Sequence, residues 1–160
     1  MAENPSTNKL GAVVIDANFS IALAARESAK EAQAKAAIAY YTKNGYLLFA
    51  PSVIVSETLF VLCGKKEKGL LDADEYNQAI ANFELFMNLV LPPPNGEVSF
   101  ILRAAQICEG YGCGRSADAI YIALAEELSQ VYTTRLLTFD RRLPNQAARH
   151  APSVSVHLLQ

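Results

Sequence analysis

Apolar residues fall along this chain in short runs separated by longer amphipathic stretches. Leu10–Ile15 is a run rich in Val that ends at Asp16, and it predicts a strand buried on both faces of a parallel sheet. Ser20–Ala29 and Ala29–Lys43 carry Ala, Lys and Glu at helical spacing, and Asn44-Gly45 stops the second of them. Tyr46–Ala50 predicts a second buried strand, after which Pro51-Ser52 opens a helix that runs to the turn Gly64-Lys65-Lys66-Glu67-Lys68-Gly69. Asp72 caps a helix over Ala73–Phe86. Asn88–Leu91 is a third short apolar run, halted by Pro92-Pro93-Pro94, and a helix follows over Gly96–Glu109. Beyond the glycine-rich loop Gly110–Gly114, Ser116 caps a long helix, Ala117–Gln130. Arg135–Phe139 predicts a fourth strand, ending at Asp140, and the alternation of Val154, Val156 and Leu158 predicts an edge strand within Ser153–Leu159.

Strands alternating with helices predict one α/β domain over residues 10–160, a three-layer α/β/α sandwich around a mostly parallel sheet. The polar stretch Met1–Lys9 predicts a flexible tail, and with no apolar centre it is not a signal peptide. The segment Tyr46–Cys63 approaches membrane-spanning length with Glu57 as its one charge, but Pro51, Ser52, Ser56 and Thr58 divide it into strand and helix, so no membrane association is expected.

A net charge of −2 argues against tight, non-specific nucleic-acid binding, so any contact with RNA needs local basic groups and a metal. The three cysteines, Cys63, Cys108 and Cys113, show no CxxC pairing and predict reduced, buried thiols in a cytoplasmic protein. His150 and His157 have no second ligand near them in sequence, which argues against a zinc site.

Four acids sit where a core does not want them. Asp16 and Asp140 each end an apolar strand, and ligands of open α/β sheets bind beyond the carboxyl ends of strands. Taken singly, each also reads as a turn or cap aspartate. Glu57 shares a helical face with Val53, Phe60, Val61 and Gly64, with no Lys or Arg one turn away, so it needs a metal or a distant arginine. Asp118 lies in the first turn of its helix, favourable for the helix dipole, yet Ile122 and Ala125 carry its face inward. Four carboxylates without His or Cys suit a hard cation, Mg²⁺ or Mn²⁺, and such an ion hydrolyses phosphodiesters by activating water and neutralising charge. Phosphatase and receiver chemistry fit less well, because Asn18 stands where a second aspartate belongs and no lysine follows a late strand.

The segments Val13-Val14-Ile15-Asp16-Ala17-Asn18, Ser56-Glu57, Ser116-Ala117-Asp118-Ala119-Ile120-Tyr121 through Leu128, and Leu137-Thr138-Phe139-Asp140-Arg141-Arg142-Leu143 together resemble the PIN-domain family, in its VapC-type toxin branch. The resemblance covers about Leu10 to Leu143. It implies an Mg²⁺- or Mn²⁺-dependent endoribonuclease leaving a 5′-phosphate and a 3′-hydroxyl. It also implies metal binding chiefly by Asp16 and Asp118, with Glu57 and Asp140 completing the pocket, and support from Asn18, Ser116 and Thr138. A homodimer and a small antitoxin partner are implied as well. The alternative is a weakly catalytic PIN-like module that docks RNA or a protein. Arg115, Arg141 and Arg142 are candidates for the RNA backbone, whereas Lys65, Lys66 and Lys68 serve the end of their helix. Ser129–Arg135 is longer than the turn usual in such toxins, so the strand bearing Asp140 is expected to start late.

Overall fold

The computed structural model describes residues 9–160, so the expected tail lies outside the described residues except for Lys9, whose Nζ donates to the Gln130 carbonyl at 3.3 Å. Four parallel strands form one sheet: β1 (Gly11–Ile15), β2 (Tyr46–Phe49), β3 (Thr133–Thr138) and β4 (Val156–Leu158), in the order β2-β1-β3-β4. Among the described residues, seven α-helices complete the sandwich: α1 (Ala17–Ala24), α2 (Ser28–Lys43), α3 (Val53–Glu67), α4 (Ala73–Met87), α5 (Ile101–Gly110), α6 (Ser116–Ser129) and α7 (Leu143–His150).

β1 is the centre of the fold. All five of its residues are buried, as the run of Val and Ile demands of a strand covered on both faces. Each fully buried Val or Ile side chain contributes about 1.5–3 kcal/mol. Gly11 begins the strand because a Cβ there would meet the Tyr46 ring at 2.4 Å. The register pairs Ile15 with Leu137, which brings the residue after β1, Asp16, beside the last residue of β3, Thr138. The site is therefore fixed by strand pairing.

Several boundaries differ from expectation. α1 starts at Ala17, three residues early, because the Asp16 carboxylate caps it by accepting the Phe19 N–H. α1 and α2 are separated by a turn in which Arg26 takes a left-handed φ of 50°. Asp72 and Glu75 form a full capping box on α4. Ser116 does not cap α6: the helix begins at Ser116 itself, and the N-cap position is Arg115, which makes no side-chain cap bond. Leu91 makes one parallel bridge to Phe49 at the sheet edge, since Pro92 can donate no ladder hydrogen bond. β3 starts at Thr133, earlier than expected; the long Ser129–Arg135 segment is absorbed by the end of α6 and the start of the strand. α7 went unpredicted, although Pro144 in its first turn is a start signal. The cysteines are free as expected, but Cys63 and Cys113 are exposed, so they are not buried thiols. No described helix is long and apolar enough to cross a membrane.

Candidate active site

Asp16 is placed twice over, by the end of β1 and by the start of α1. It is 4 % exposed. Its Oδ1 accepts the Phe19 N–H at 2.9 Å and its Oδ2 accepts the Thr138 hydroxyl at 2.5 Å. Burial pushes the Asp16 carboxyl up to about 7; the two hydrogen bonds oppose this, and the nearby Asp118 and Asp140 carboxylates add to it. Thr138 also accepts the Asp140 backbone N–H at 2.8 Å, so one hydroxyl fixes two acids relative to each other.

Asp140 follows β3 in the turn to α7. Its Oδ1 accepts the Arg142 backbone N–H at 2.8 Å and Nε at 3.3 Å, and its Oδ2 accepts from Arg115 Nη2. Burial alone would raise this carboxyl, but Arg142 and Arg115 hold it below the usual range. Asp118 projects from the first turn of α6, and its Oδ2 accepts from Arg115 Nε. Its pKa still lies above the usual range, because burial raises it and Arg115 is its one bonded cation. Burial also works against the Arg115 guanidinium, yet the hydrogen bonds it donates to both carboxylates leave it more firmly charged than usual.

Glu57 approaches from α3. The buried line of that helix is Ile54, Thr58 and Leu62, and Phe60 is 81 % exposed. Glu57 thus flanks the apolar face and is not in the middle of it, a correction to the sequence reading. It still needs a partner, and finds a neutral one: the Tyr121 hydroxyl donates to Oε2 at 2.6 Å. Burial raises the Glu57 carboxyl, the Tyr121 bond lowers it, and the negative charge of Asp118 raises it again. Next to Glu57, Thr58 shares a buried 2.6 Å hydrogen bond with Ser20, which pins α3 against α1.

The structure therefore brings Asp16, Asp118 and Asp140 into electrostatic contact, with Glu57 joined through Asp118. Of the supporting residues, Thr138 touches the acids. Asn18 is exposed in the first turn of α1, and Ser116 is exposed and faces an apolar groove with Phe100, Ile101 and Ile120. Among the three arginines expected to face RNA, Arg115 is spent on two carboxylates, Arg142 is tied to Asp140, and Arg141 is exposed. Sequence reasoning missed Tyr121, whose position three residues after Asp118 on the same helix was the available signal.

The sequence between β1 and the end of α7, with acids at the carboxyl ends of two adjacent strands, can be set against known families. The PIN domain family model matches residues 13–149. This chain belongs to the PIN domain family. PIN domains are generally nucleases. The match spans Asp16, Glu57, Asp118 and Asp140 alike. No curated protein matches the chain. Solved structures share the PIN fold at low identity. VapBC2 from Rickettsia felis, bound to a DNA fragment from its promoter, is similar with a TM-score of 0.63 and 10 % identity, over 93 % of this chain and 99 % of that one. FitAB bound to the IR36 DNA fragment gives 0.57 and 19 % identity, over 92 % and 98 %. PAE2754 from Pyrobaculum aerophilum gives 0.52 and 18 %, over 98 % and 92 %.

The donor set fits a hard divalent cation: it is all oxygen, and Asp16 and Glu57 hold raised pKa values that a cation beside them would reverse. Among the described residues, however, no three such side chains stand arranged around one ion position. The Arg115 guanidinium lies between Asp118 and Asp140 and is bonded to both.

Proposed function

We propose that this PIN domain is an Mg²⁺- or Mn²⁺-dependent endoribonuclease, the toxin of a toxin–antitoxin pair. The observation that carries the reading is the convergence of Asp16 and Asp140 on the one Thr138 hydroxyl, with Asp118 linked to Asp140 through Arg115, so that three acids from separate elements share one rim. A structural aspartate gains nothing from burial among like charges, so the cluster makes sense as a cation site. Asp16 and Asp118 would hold the ion, with Glu57 and Asp140 completing the pocket directly or through water. When bound, such a cation supplies charge neutralisation and water activation for phosphodiester hydrolysis.

The protein's own part is positioning. Thr138 fixes the Asp16 carboxylate and the turn carrying Asp140, and Tyr121 fixes Glu57. Arg141 and Arg142 directly follow Asp140 and are exposed, where they can meet the sugar–phosphate backbone and orient it. Single-stranded RNA is favoured over duplex, because its bases and backbone can splay across an open rim. The VapBC2 and FitAB likenesses support an antitoxin partner, and a homodimer is proposed on the same family resemblance.

RNA cleavage by the purified protein in Mn²⁺, Mg²⁺ and EDTA tests this, alongside Asp16→Asn and Asp118→Asn. Metal-dependent cleavage lost in both variants is the expected result. Cleavage that survives EDTA, or persists in both variants, overturns the assignment. The Arg115 ion pairs favour a second reading, a weakly catalytic binding module. Absence of cleavage combined with RNA retention in a binding assay would select it.

A further inference from the structure

We propose that Arg115 is a built-in counter-ion that closes the acidic site, and that a divalent cation enters by displacing it from Asp118 and Asp140. The inference rests on the metal-dependent reading above and specifies how the site is loaded.

One guanidinium spans two elements: Nε is bonded to Asp118 in α6, and Nη2 to Asp140 after β3. Both contacts fall on carboxylates that a hard cation would draw on. A guanidinium carries a full charge at any physiological pH, so protons do not release it; a competitor must. A divalent ion drawn to the same oxygens would lie close to a like charge. The two occupants therefore oppose each other electrostatically.

The arginine is not settled as a structural ion pair would be. Its Nη1 is buried with no hydrogen-bond partner, an uncompensated cost at the centre of the site. Its backbone is left-handed at φ 54°, an unfavourable region for a side chain of this size. Cys113 at 58° shares that region, so two non-glycine positions in the segment leading into α6 are strained. Strain and an unmet donor both lower the cost of letting Arg115 go. Asp16 is buried and, among the described residues, bonded to no cation, so the cluster keeps an attraction for an incoming ion that Arg115 does not satisfy. Once released, Arg115 stays on the rim with a planar fork suited to a phosphate.

Calorimetric titration of the EDTA-treated, dialysed full chain with MnCl₂ tests the exchange, using wild type, Arg115→Ala and Arg115→Lys. Arg115→Ala is expected to bind Mn²⁺ about tenfold more tightly, and Arg115→Lys to fall between, since the ammonium keeps the charge without the fork. A second readout needs no variant: the Arg115 Nε–H resonance of labelled wild type should shift and lose its exchange protection on adding MgCl₂, but not on adding KCl at equal ionic strength. Unchanged or weaker Mn²⁺ affinity in Arg115→Ala, or an Nε–H signal indifferent to Mg²⁺ while Mg²⁺ binds, overturns the displacement. If neither wild type nor Arg115→Ala binds Mn²⁺ at millimolar concentration, the metal-dependent reading falls and takes the displacement with it.

Discussion

Asp16 and Asp140 sit on either side of the same threonine, yet their surroundings are opposite. Asp16 is held by a hydroxyl and a peptide N–H, both neutral, and titrates at about 7. Asp140 is held by two guanidinium groups and titrates below the usual carboxylate range. Glu57, fixed by the Tyr121 hydroxyl, belongs with Asp16. Neutral donors fix a carboxylate in place without cancelling its charge, whereas arginines do both. One wall of the site is therefore short of positive charge and the other is supplied with it. Cation demand is concentrated at Asp16.

The largest effect that would sharpen this contrast is on stability. The Asp16 carboxyl titrates near 7 in the fold, against about 4 in an unfolded chain, so its contribution is full below pH ~4 and falls away by roughly 4 kcal/mol as pH rises through 7. Asp140 has the opposite sign: its pKa is lowered, so its contribution is present at neutral pH and lost as pH falls through its folded pKa. In EDTA at pH 8, Asp16→Asn should be more stable than wild type and Asp140→Asn less stable, as urea midpoints at pH 4 and pH 8 will show. Equal shifts in the two variants would erase the distinction between the walls.

Catalysis comes next. Asp16→Asn should lower Mn²⁺-dependent RNA cleavage by about a hundredfold or more, because a charge placed for the transition state is lost. Single-turnover rates at saturating Mn²⁺ measure this. Tyr121→Phe should cost about tenfold, the usual scale for removing a partner that orients a ligand. It should also move the acidic limb of the pH–rate profile upward, since the Tyr121 bond lowers the Glu57 pKa. An unshifted limb would remove Glu57 from the uncompensated wall. Smallest is Arg142→Ala. That side chain is 75 % exposed, so RNA affinity should weaken modestly, and its dependence on salt should shallow by about one phosphate contact. Fluorescence anisotropy across a KCl series reads both.

Much of the layout was legible in the chain. The apolar run Leu10–Ile15 declares a strand buried on both faces, Asp72 declares a capped helix, and an aspartate directly after each of two apolar runs marks a sheet rim. These signals are local: they depend on periodicity and on caps that span three or four residues. The faces of short helices were less legible. Glu57 reads as central to a stripe with Phe60, whereas packing against α1 buries Ile54, Thr58 and Leu62. Ser116 reads as a helix cap, but the left-handed Arg115 takes the N-cap position.

The sequence by itself determined the strand–helix alternation, the acids that end the strands and the helix that carries Asp118, because each is written in neighbouring residues. Only the tertiary structure decided which acid is neutralised. Arg115 lies 25 residues before Asp140 in the chain and Tyr121 lies 64 after Glu57. The bonds between them form because β1 and β3 pair in register and α6 packs on both strands, a long-range geometry that no short window of residues encodes.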